Sequence, residues 1–323
     1  MQSAKHILLV TTRADLAADL LVVELRKRGK TFLRLNCEDF PTTVSMSWAP
    51  ANSERILAVR GQARSLDSFQ SAWYRRAVPP ILPPAVASTG VGEFVSCERN
   101  SFLDGFWETA GLFWINRPAN VRMAENKLTQ LDLAKGLGLA IPSTVITNDP
   151  ARARDFIASR PAAIAKPISR SALPGDTRPS VIFSTPVGPQ DIPDDRAVQI
   201  APFILQERIE KKLDFRLTLV GWHAFGTEIL ADKAAGDAAD WRALPEQLLT
   251  YRICQPPHEI LDLSLQMCRR LGLTYAAFDF LLTPRGEYVF LEVNPSGQWG
   301  WIEHHTGHQI TAALATLLSD GRA

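Results

Sequence analysis

The sequence predicts a multi-domain α/β protein, and three observations lead there. Its 323 residues correspond to two domains, or three small ones, at about 150 residues each. Hydrophobic residues make up 46% and charged residues 21%, the ordinary usage of a chain that can bury a core without staples. Along the chain, short β-branched apolar runs alternate with longer segments whose apolar residues recur at helical spacing.

His6 to Thr11 is apolar and β-branched, a strand. Ala14 to Arg28 carries Leu16, Leu20, Val23 and Leu25 near helical spacing, and Gly29 closes the helix. Thr31 to Leu35 returns as a second strand, so the three form a right-handed parallel βαβ unit. The first turn, Thr12-Arg13-Ala14, lacks G-x-G-x-x-G, and without that backbone cradle an NAD or FAD enzyme is disfavoured. Val78 to Pro84, with its four prolines, is a loop or an extended segment. Glu93 to Leu112 reads as a helix, Phe113 to Asn116 as a short strand, and Asn126 to Leu137 as a helix stopped by Gly138. Ile141 to Thr147 is a strand, Asn148-Asp149-Pro150 turns into a further helix, and Ala162 to Pro167 is the next strand. Ser169 to Pro179, rich in Ser, Pro and Gly, is a flexible loop by composition. Phe203 to Glu210, Phe215 to Val220 and Ala224 to Leu230 are strands, the last two joined by a turn at Gly221-Trp222. An amphipathic helix from Asp262 to Leu271 ends at Gly272. The hairpin Ala277 to Leu282 and Tyr288 to Val293 then turns through Thr283-Pro284-Arg285-Gly286.

Several function classes drop out. Lys and Arg number 35 against 34 Asp and Glu, a net charge of +1, so a dedicated nucleic-acid partner is not expected, although a local basic groove stays open. No apolar run approaches 18 residues, and Ile7 to Val10 is too short for a signal-peptide core; no membrane partner is expected and the predicted location is cytoplasmic. Cys37, Cys97, Cys254 and Cys268 are scattered without a C-x-x-C pair, which predicts reduced thiols rather than a zinc site or disulfides. There is no G-x-S-x-G and no P-loop motif. His304 and His308 have the i, i+4 spacing, but Gly307 interrupts the helix; they and His305 are expected to be solvated or hydrogen-bonded rather than metal-bound.

The last hairpin carries the sharpest chemical signal. Its turn centres near Arg285, which sets Asp279 nearly opposite Glu292, with Asn294 two residues on and on the same face. Two carboxylates and an amide oxygen make a hard-oxygen cluster suited to Mg²⁺. The alternative, a surface hairpin with ordinary charges, fits poorly with the apolar neighbours Ala276-Ala277-Phe278 and Val289-Phe290-Leu291, among which unpaired carboxylates are costly. Lys166 ends an apolar strand, where it can reach a phosphate or simply snorkel to solvent. Lys127, near a helix start, is compatible with a solvated helix face. Asp214 and Arg216 share a strand face and either pair as a salt bridge or divide between ribose and phosphate.

In the order Lys127, Lys166, Gln206-Glu207-Arg208-Ile209, Asp214-Phe215-Arg216, Asp279 and Glu292-Val293-Asn294, the sequence resembles the ATP-grasp superfamily. Within it, the chain is most similar to the microviridin-ligase type of ribosomal-peptide maturase, which makes graspetides. The segments that carry this are Trp73-Tyr74-Arg75-Arg76, Trp114-Ile115-Asn116-Arg117-Pro118, Gln206 to Gly221, Asp240-Trp241-Arg242 and Phe290 to Glu303, followed by Thr306-Gly307. The resemblance runs over nearly the whole chain. It implies an ATP-grasp fold of mixed α/β and α+β type: a Rossmann-like domain over 1–120, a central lid over 121–200 and a C-terminal α+β domain over 201–323.

By position, the resemblance assigns Lys127 and Lys166 to nucleotide phosphates, Gln206, Glu207 and the backbone near Ile209 to adenine, and Asp214 or Glu210 to ribose. Arg216 and Arg242 would face the phosphates and the acyl-phosphate oxyanion, and Asp279, Glu292 and Asn294 would hold one or two Mg²⁺ ions. The implied reaction is ATP-dependent: Asp or Glu side chains of a precursor peptide, with leader and core segments, are activated as acyl phosphates and joined to Ser, Thr or Lys side chains. Arg75 and Arg76 are candidates to receive an acidic peptide segment, or else are plain surface or salt-bridging arginines. A homodimer is the assembly that relatives suggest. The loop at Ser169 to Pro179 has only Gly175 where many ATP-grasp enzymes have several glycines, which weakens close backbone approach to phosphates. A ligase adding a free amino acid to a peptide or protein terminus, and a non-catalytic ATP-binding regulator, are the alternatives.

Overall fold

The structure is a computed structural model, which describes residues 6–77, 82, 84–87, 90–169, 172–173, 180–182, 184–192, 194–232 and 240–322. It begins with β1 (His6–Thr11), α1 (Leu16–Lys27) and β2 (Phe32–Asn36). A three-stranded antiparallel sheet follows, made of β3 (Val44–Ala49), β4 (Glu54–Val59) and β5 (Gln62–Ser65). The chain then returns through β6 (Phe69–Tyr74), α2 (Pro84–Ala87), α3 (Val91–Glu108) and β7 (Phe113–Ile115). Strands β2-β1-β6-β7, in that order, form a parallel sheet.

Helix α1 buries Ala17, Ala18, Leu21, Val22 and Leu25, while Leu16, Leu20 and Val23 are exposed. This corrects the apolar face read from Leu16, Leu20, Val23 and Leu25. The two alanines let the helix lie close to the sheet, so the buried stripe is set by small residues that a count of large ones misses.

Next come α4 (Pro118–Glu125), α5 (Lys127–Leu137), β8 (Thr144–Thr147), α6 (Pro150–Ala158) and β9 (Ala163–Lys166). Strands β10 (Ala172–Leu173) and β11 (Ser180–Val181) pair antiparallel, and β12 (Thr185–Val187), α7 (Asp195–Ile200) and β13 (Phe203–Glu207) follow. The central sheet has the order β12-β9-β13-β8 and a small core of its own at Ala153, Ile157, Ala163 and Leu205. Its strand β13 lies beyond residue 200, and α4 and α5 pack instead on the last sheet. The central unit is therefore drawn from a different span than 121–200. Most of the predicted Ser169 to Pro179 loop, Gly175 included, lies outside the described residues, as do 78–81 and 83 of the proline-rich segment.

The last third holds β14 (Leu213–Val220), β15 (His223–Ala231), β16 (Leu249–Cys254), α8 (His258–Leu271), β17 (Tyr275–Leu282), β18 (Tyr288–Asn294), α9 (Gly300–Thr306) and α10 (Ile310–Asp320). The five strands form an antiparallel sheet ordered β16-β15-β14-β17-β18. One face packs on α5 and α8 through Phe215, Leu217, Met267, Leu271, Phe278 and Phe290. Helix α10 packs back on the first sheet, so Ile7, Leu9, Leu21 and Trp73 share one core with Tyr275, Trp299, Ile310, Leu314 and Leu318.

Asn116 is the polar joint of that shared core. It is buried and holds a left-handed backbone, φ 57°, which asparagine tolerates better than most residues. Its amide donates to the carbonyls of Tyr275 (2.7 Å) and Pro295 (2.9 Å) and accepts from the N–H groups of Thr274 (2.8 Å) and Tyr275 (3.1 Å). Asn116→Ala should destabilise the protein by at least about 2 kcal/mol, because buried backbone groups lose their partners and alanine resists the left-handed geometry. Denaturant unfolding of the variant checks this; an unchanged midpoint would contradict it.

Candidate active site

Three neighbouring strands place three ionisable side chains on one rung. Arg216 on β14 pairs with Asp279 on β17, and Asp279 pairs with Glu292 on β18. The hairpin slips by one residue between Asp279 and Phe280, leaving Leu291 without a cross-strand partner. That slip turns the near-opposition expected from the turn into direct opposition. Asn294, two residues on, shares the face of Glu292, and its Nδ2 donates to Asp279 Oδ2 (3.1 Å) and Glu292 Oε1 (3.0 Å).

Cations surround the carboxylates unevenly. Lys127 Nζ donates to Glu292 Oε2 at 2.5 Å, and Arg242 Nη1 lies 3.9 Å from Glu292 Oε1. Arg216 Nε lies 2.8 Å from Asp279 Oδ1. Burial opposes the ionisation of both acids. For Glu292 it is outweighed by Lys127, the Asn294 hydrogen bond and Arg242, which together hold its carboxyl well below the usual range. For Asp279 burial prevails over Arg216, and the neighbouring Glu292 charge adds to it, so its pKa is pushed up to about 6. One acid of the pair is thus ionised and the other is short of positive charge, the state that an added divalent cation relieves.

The rung floors a cleft between the central and last sheets. One lobe, of about 100 Å³, is bounded by Lys166, Gln206, Glu207, Ile209, Asp214 and Arg216, among others. A second lobe of about 530 Å³ shares Lys166, Gln206, Arg216, Arg242 and Glu292 with it and continues to Arg76, Lys127 and Asn294. Gln206 Nε2 donates to Thr144 Oγ1 at 3.0 Å, and Glu207 Oε2 lies 3.9 Å from Arg160 Nε. Burial depresses the Lys166 ammonium.

Asp214 and Arg216 share a face but do not pair with each other. Burial raises the carboxyl of Asp214, which accepts from Lys211 Nζ at 2.7 Å. Glu210 does not join the site: β13 ends at Glu207 rather than Glu210, and Glu210 is exposed and absent from the cleft walls. Arg75 is a second correction. Its side chain is 1% exposed and ion-paired to buried Asp15, so it has no surface to offer a peptide. Arg76, by contrast, is exposed and lines the larger lobe.

Sequence reasoning missed three supporting residues. Asp240 grips Arg242 from both oxygens, Nε–Oδ1 at 2.9 Å and Nη2–Oδ2 at 2.7 Å, and this pairing raises the guanidinium pKa further. Lys211 neutralises Asp214. Gln130 donates to the carbonyls of Ala124 and Val293 and accepts from Val293 N–H, locking β18 between its two polar residues. Asp240 sits two residues before Arg242, the N-cap spacing that lets a carboxylate bond the backbone N–H of Arg242; the other two leave no local signal. The histidines do not assemble: His305 Nε2 meets Glu246 (3.0 Å) and His308 Nε2 meets the Gly226 carbonyl (3.1 Å). Among the described residues, no group of three or more His, Cys, Asp or Glu could hold a metal ion. Among the described residues, no helix is long and apolar enough to cross a membrane.

Residues 6–122 match the model of the MvdD pre-ATP grasp domain. The fold is similar to the macrocyclase MdnC bound with precursor peptide MdnA from Microcystis aeruginosa MRC, with 28% identity and a TM-score of 0.85 over 97% of this chain and 99% of that one. The chain has an ATP-grasp fold that begins with an MvdD-type pre-ATP grasp domain. Its structure is also similar to a Chryseobacterium gregarium RiPP-associated ATP-grasp ligase in complex with ADP and a leader and core peptide, at 26% identity and a TM-score of 0.85 over 99% and 98% of the two chains. A probable alpha-L-glutamate ligase of Enterobacter sp. (strain 638) is 27% identical over 217 residues, 66% of this ATP-grasp chain and 69% of that protein. The matched N-terminal region ends before Lys127.

Proposed function

We propose that this ATP-grasp ligase activates Asp or Glu side chains of a ribosomal precursor peptide and closes ester or amide crosslinks within that peptide. The observation that carries the reading is the Arg216–Asp279–Glu292 rung, facing a cleft between two sheets, in a chain whose full length is similar to peptide macrocyclases. Lys127 and Lys166 would neutralise ATP phosphates, with Gln206, Glu207 and the Ile209 backbone at adenine and Asp214 at ribose. Asp279, Glu292 and the Asn294 amide oxygen suit one or two Mg²⁺ ions, whose charge would offset that of the phosphates. Asn294 presents its nitrogen to the carboxylates, so its amide must turn for the oxygen to serve.

The substrate carboxylate attacks the γ-phosphorus and ADP departs. Arg216 and Arg242, aimed at the same cleft, are placed to stabilise the phosphoryl and tetrahedral oxyanions. The acceptor hydroxyl or amine then attacks the acyl carbonyl, phosphate leaves, and the peptide has lost one water. A homodimer, with peptide docking through leader and core segments, completes the proposal.

The test is intact mass of a short candidate precursor peptide, rich in Thr, Ser, Asp and Glu, incubated with the protein, ATP and Mg²⁺. Loss of about 18 Da per crosslink with matching phosphate release is expected. The likeness to named glutamate ligases favours one competing outcome, a mass gain equal to one amino-acid residue, the free amino acid less one water. Nucleotide binding with no turnover of any acceptor would overturn both.

Asp279 also sets a pH dependence. The metal competes with the proton on this carboxyl, so apparent Mg²⁺ affinity should be constant above about 6 and fall roughly tenfold per unit below it. Calorimetric Mg²⁺ titration in the presence of ADP, from acidic to neutral pH, reads this directly. A flat profile would show that Asp279 is not a ligand.

A further inference from the structure

A second cavity, of about 390 Å³, lies at the carboxyl edge of the first parallel sheet. The ends of β1, β2 and β6 supply Val10, Leu35 and Tyr74 to its wall. From β1 the sheet grows outward to β2 on one side and to β6 and β7 on the other. The cavity thus sits where the strand order reverses, the place at which open α/β sheets take their ligands. Its floor is apolar, with Met46 and Trp107 beside Val10 and Leu35, and its rim is charged but balanced. Arg122 Nη1 meets Asp104 Oδ1 there at 2.8 Å, and Arg76 stands near Glu125.

A nucleotide phosphate does not suit this crevice. Thr11 Oγ1 is bonded to Asp15 (2.7 Å), and the backbone N–H of Arg13, in the turn after β1, is directed at Glu38 Oε1 (3.1 Å). What the crevice does share is wall: Arg76, Glu125 and Ser296 line both it and the larger lobe of the catalytic cleft. Arg76 is fixed at that junction by a left-handed backbone, φ 49°, next to the buried anchor Arg75.

We propose that this crevice is a specificity subsite that receives one large uncharged side chain, aromatic or long aliphatic, from the peptide whose carboxylate reacts in the adjoining cleft. The proposal rests on the peptide-ligase reading above. The volume, at the small end of ligand pockets, admits a large side chain without crowding, and the balanced rim disfavours a further charge. The side chain would enter past Arg76 and hold its neighbour on the peptide over the Arg216–Asp279–Glu292 rung, which is positioning rather than chemistry.

Filling the crevice tests this. Met46→Trp and, independently, Ala77→Phe narrow the space; two sites are used so that a folding defect in one leaves the other informative. ADP affinity by calorimetry should be unchanged in both. The KM of the native precursor peptide should rise tenfold or more with kcat little altered. A set of precursors, each with one large apolar core residue replaced by alanine, should contain one member that the filled variants process as well as the wild type does. Equal kcat/KM for the native peptide in wild type and both variants would overturn the subsite, and so would a KM increase that no truncated peptide rescues. If the wild type processes no peptide while binding ADP, the peptide-ligase reading itself fails and takes the subsite with it. A small molecule retained by the wild type in native mass spectrometry and lost from both filled variants would assign the crevice to a free ligand instead.

Discussion

Replacing Glu292 by glutamine should lower crosslinking about 100- to 1000-fold while leaving the protein folded. Glutamine keeps the shape and can still accept from Asn294 and Lys127, which now donate to the carboxylate. What it removes is the one negative charge in the rung that Lys127 and Arg242 hold fully ionised. Asp279→Asn should act the same way, since Asp279 is the other carboxylate of the pair. Phosphate release and peptide mass measure the loss, and an unchanged thermal midpoint shows that it is not misfolding. Full activity in either variant would remove the metal assignment. Weak Mg²⁺ binding with ADP binding preserved would place the defect at the metal rather than at adenine.

Arg75→Ala should be the most destabilising single change predicted from the structure, by about 3–5 kcal/mol. Arg75 is 1% exposed and makes four hydrogen bonds: to Asp15 Oδ2 (2.8 Å), to the carbonyls of Ser296 (3.0 Å) and Gly297 (2.9 Å), and to Gln298 Oε1 (2.8 Å). Its guanidinium also lies 4.6 Å from the ring centre of Trp299. Alanine would leave Asp15 buried at 1% exposure with no counter-charge. Arg76→Ala, one residue on and exposed, should stay within about 0.5 kcal/mol of wild type. Denaturation midpoints of the two variants decide the matter. Equal midpoints would return Arg75 to the surface role that the sequence suggested.

The Arg75 error shows where sequence stops being informative. In isolation Trp-Tyr-Arg-Arg is two arginines at the end of a strand, and nothing local tells the buried one from the exposed one. Burial is decided by Asp15 and by the loop at Ser296 to Gln298, sixty and more than two hundred residues away. The same holds for Lys127, whose partner Glu292 is 165 positions distant. By contrast, the hairpin that pairs Asp279 with Glu292 is short, and strand alternation alone located the acids to within one residue of their register. Strands β3 to β6 have no counterpart among the predicted elements. Strand β6 is interrupted by Gln70 and Ser71, polar residues whose side chains donate to carbonyls at Leu318 and Ser319. Their place in a sheet makes sense only once α10 is in position.

That dependence bears on how the protein is born. One face of the first sheet is closed by α10, which gives Ile310, Leu314 and Leu318 to the core around Ile7 and Leu9 and the carbonyls that Gln70 and Ser71 require. A ribosome delivers the N-terminal strands first, yet this face, covered in part by α1, is completed only when residues 310–320 have left the exit tunnel. Residues 6–115 therefore keep part of their apolar surface exposed until α10 is made. That is a window for chaperone engagement, and it closes only when α10 is available.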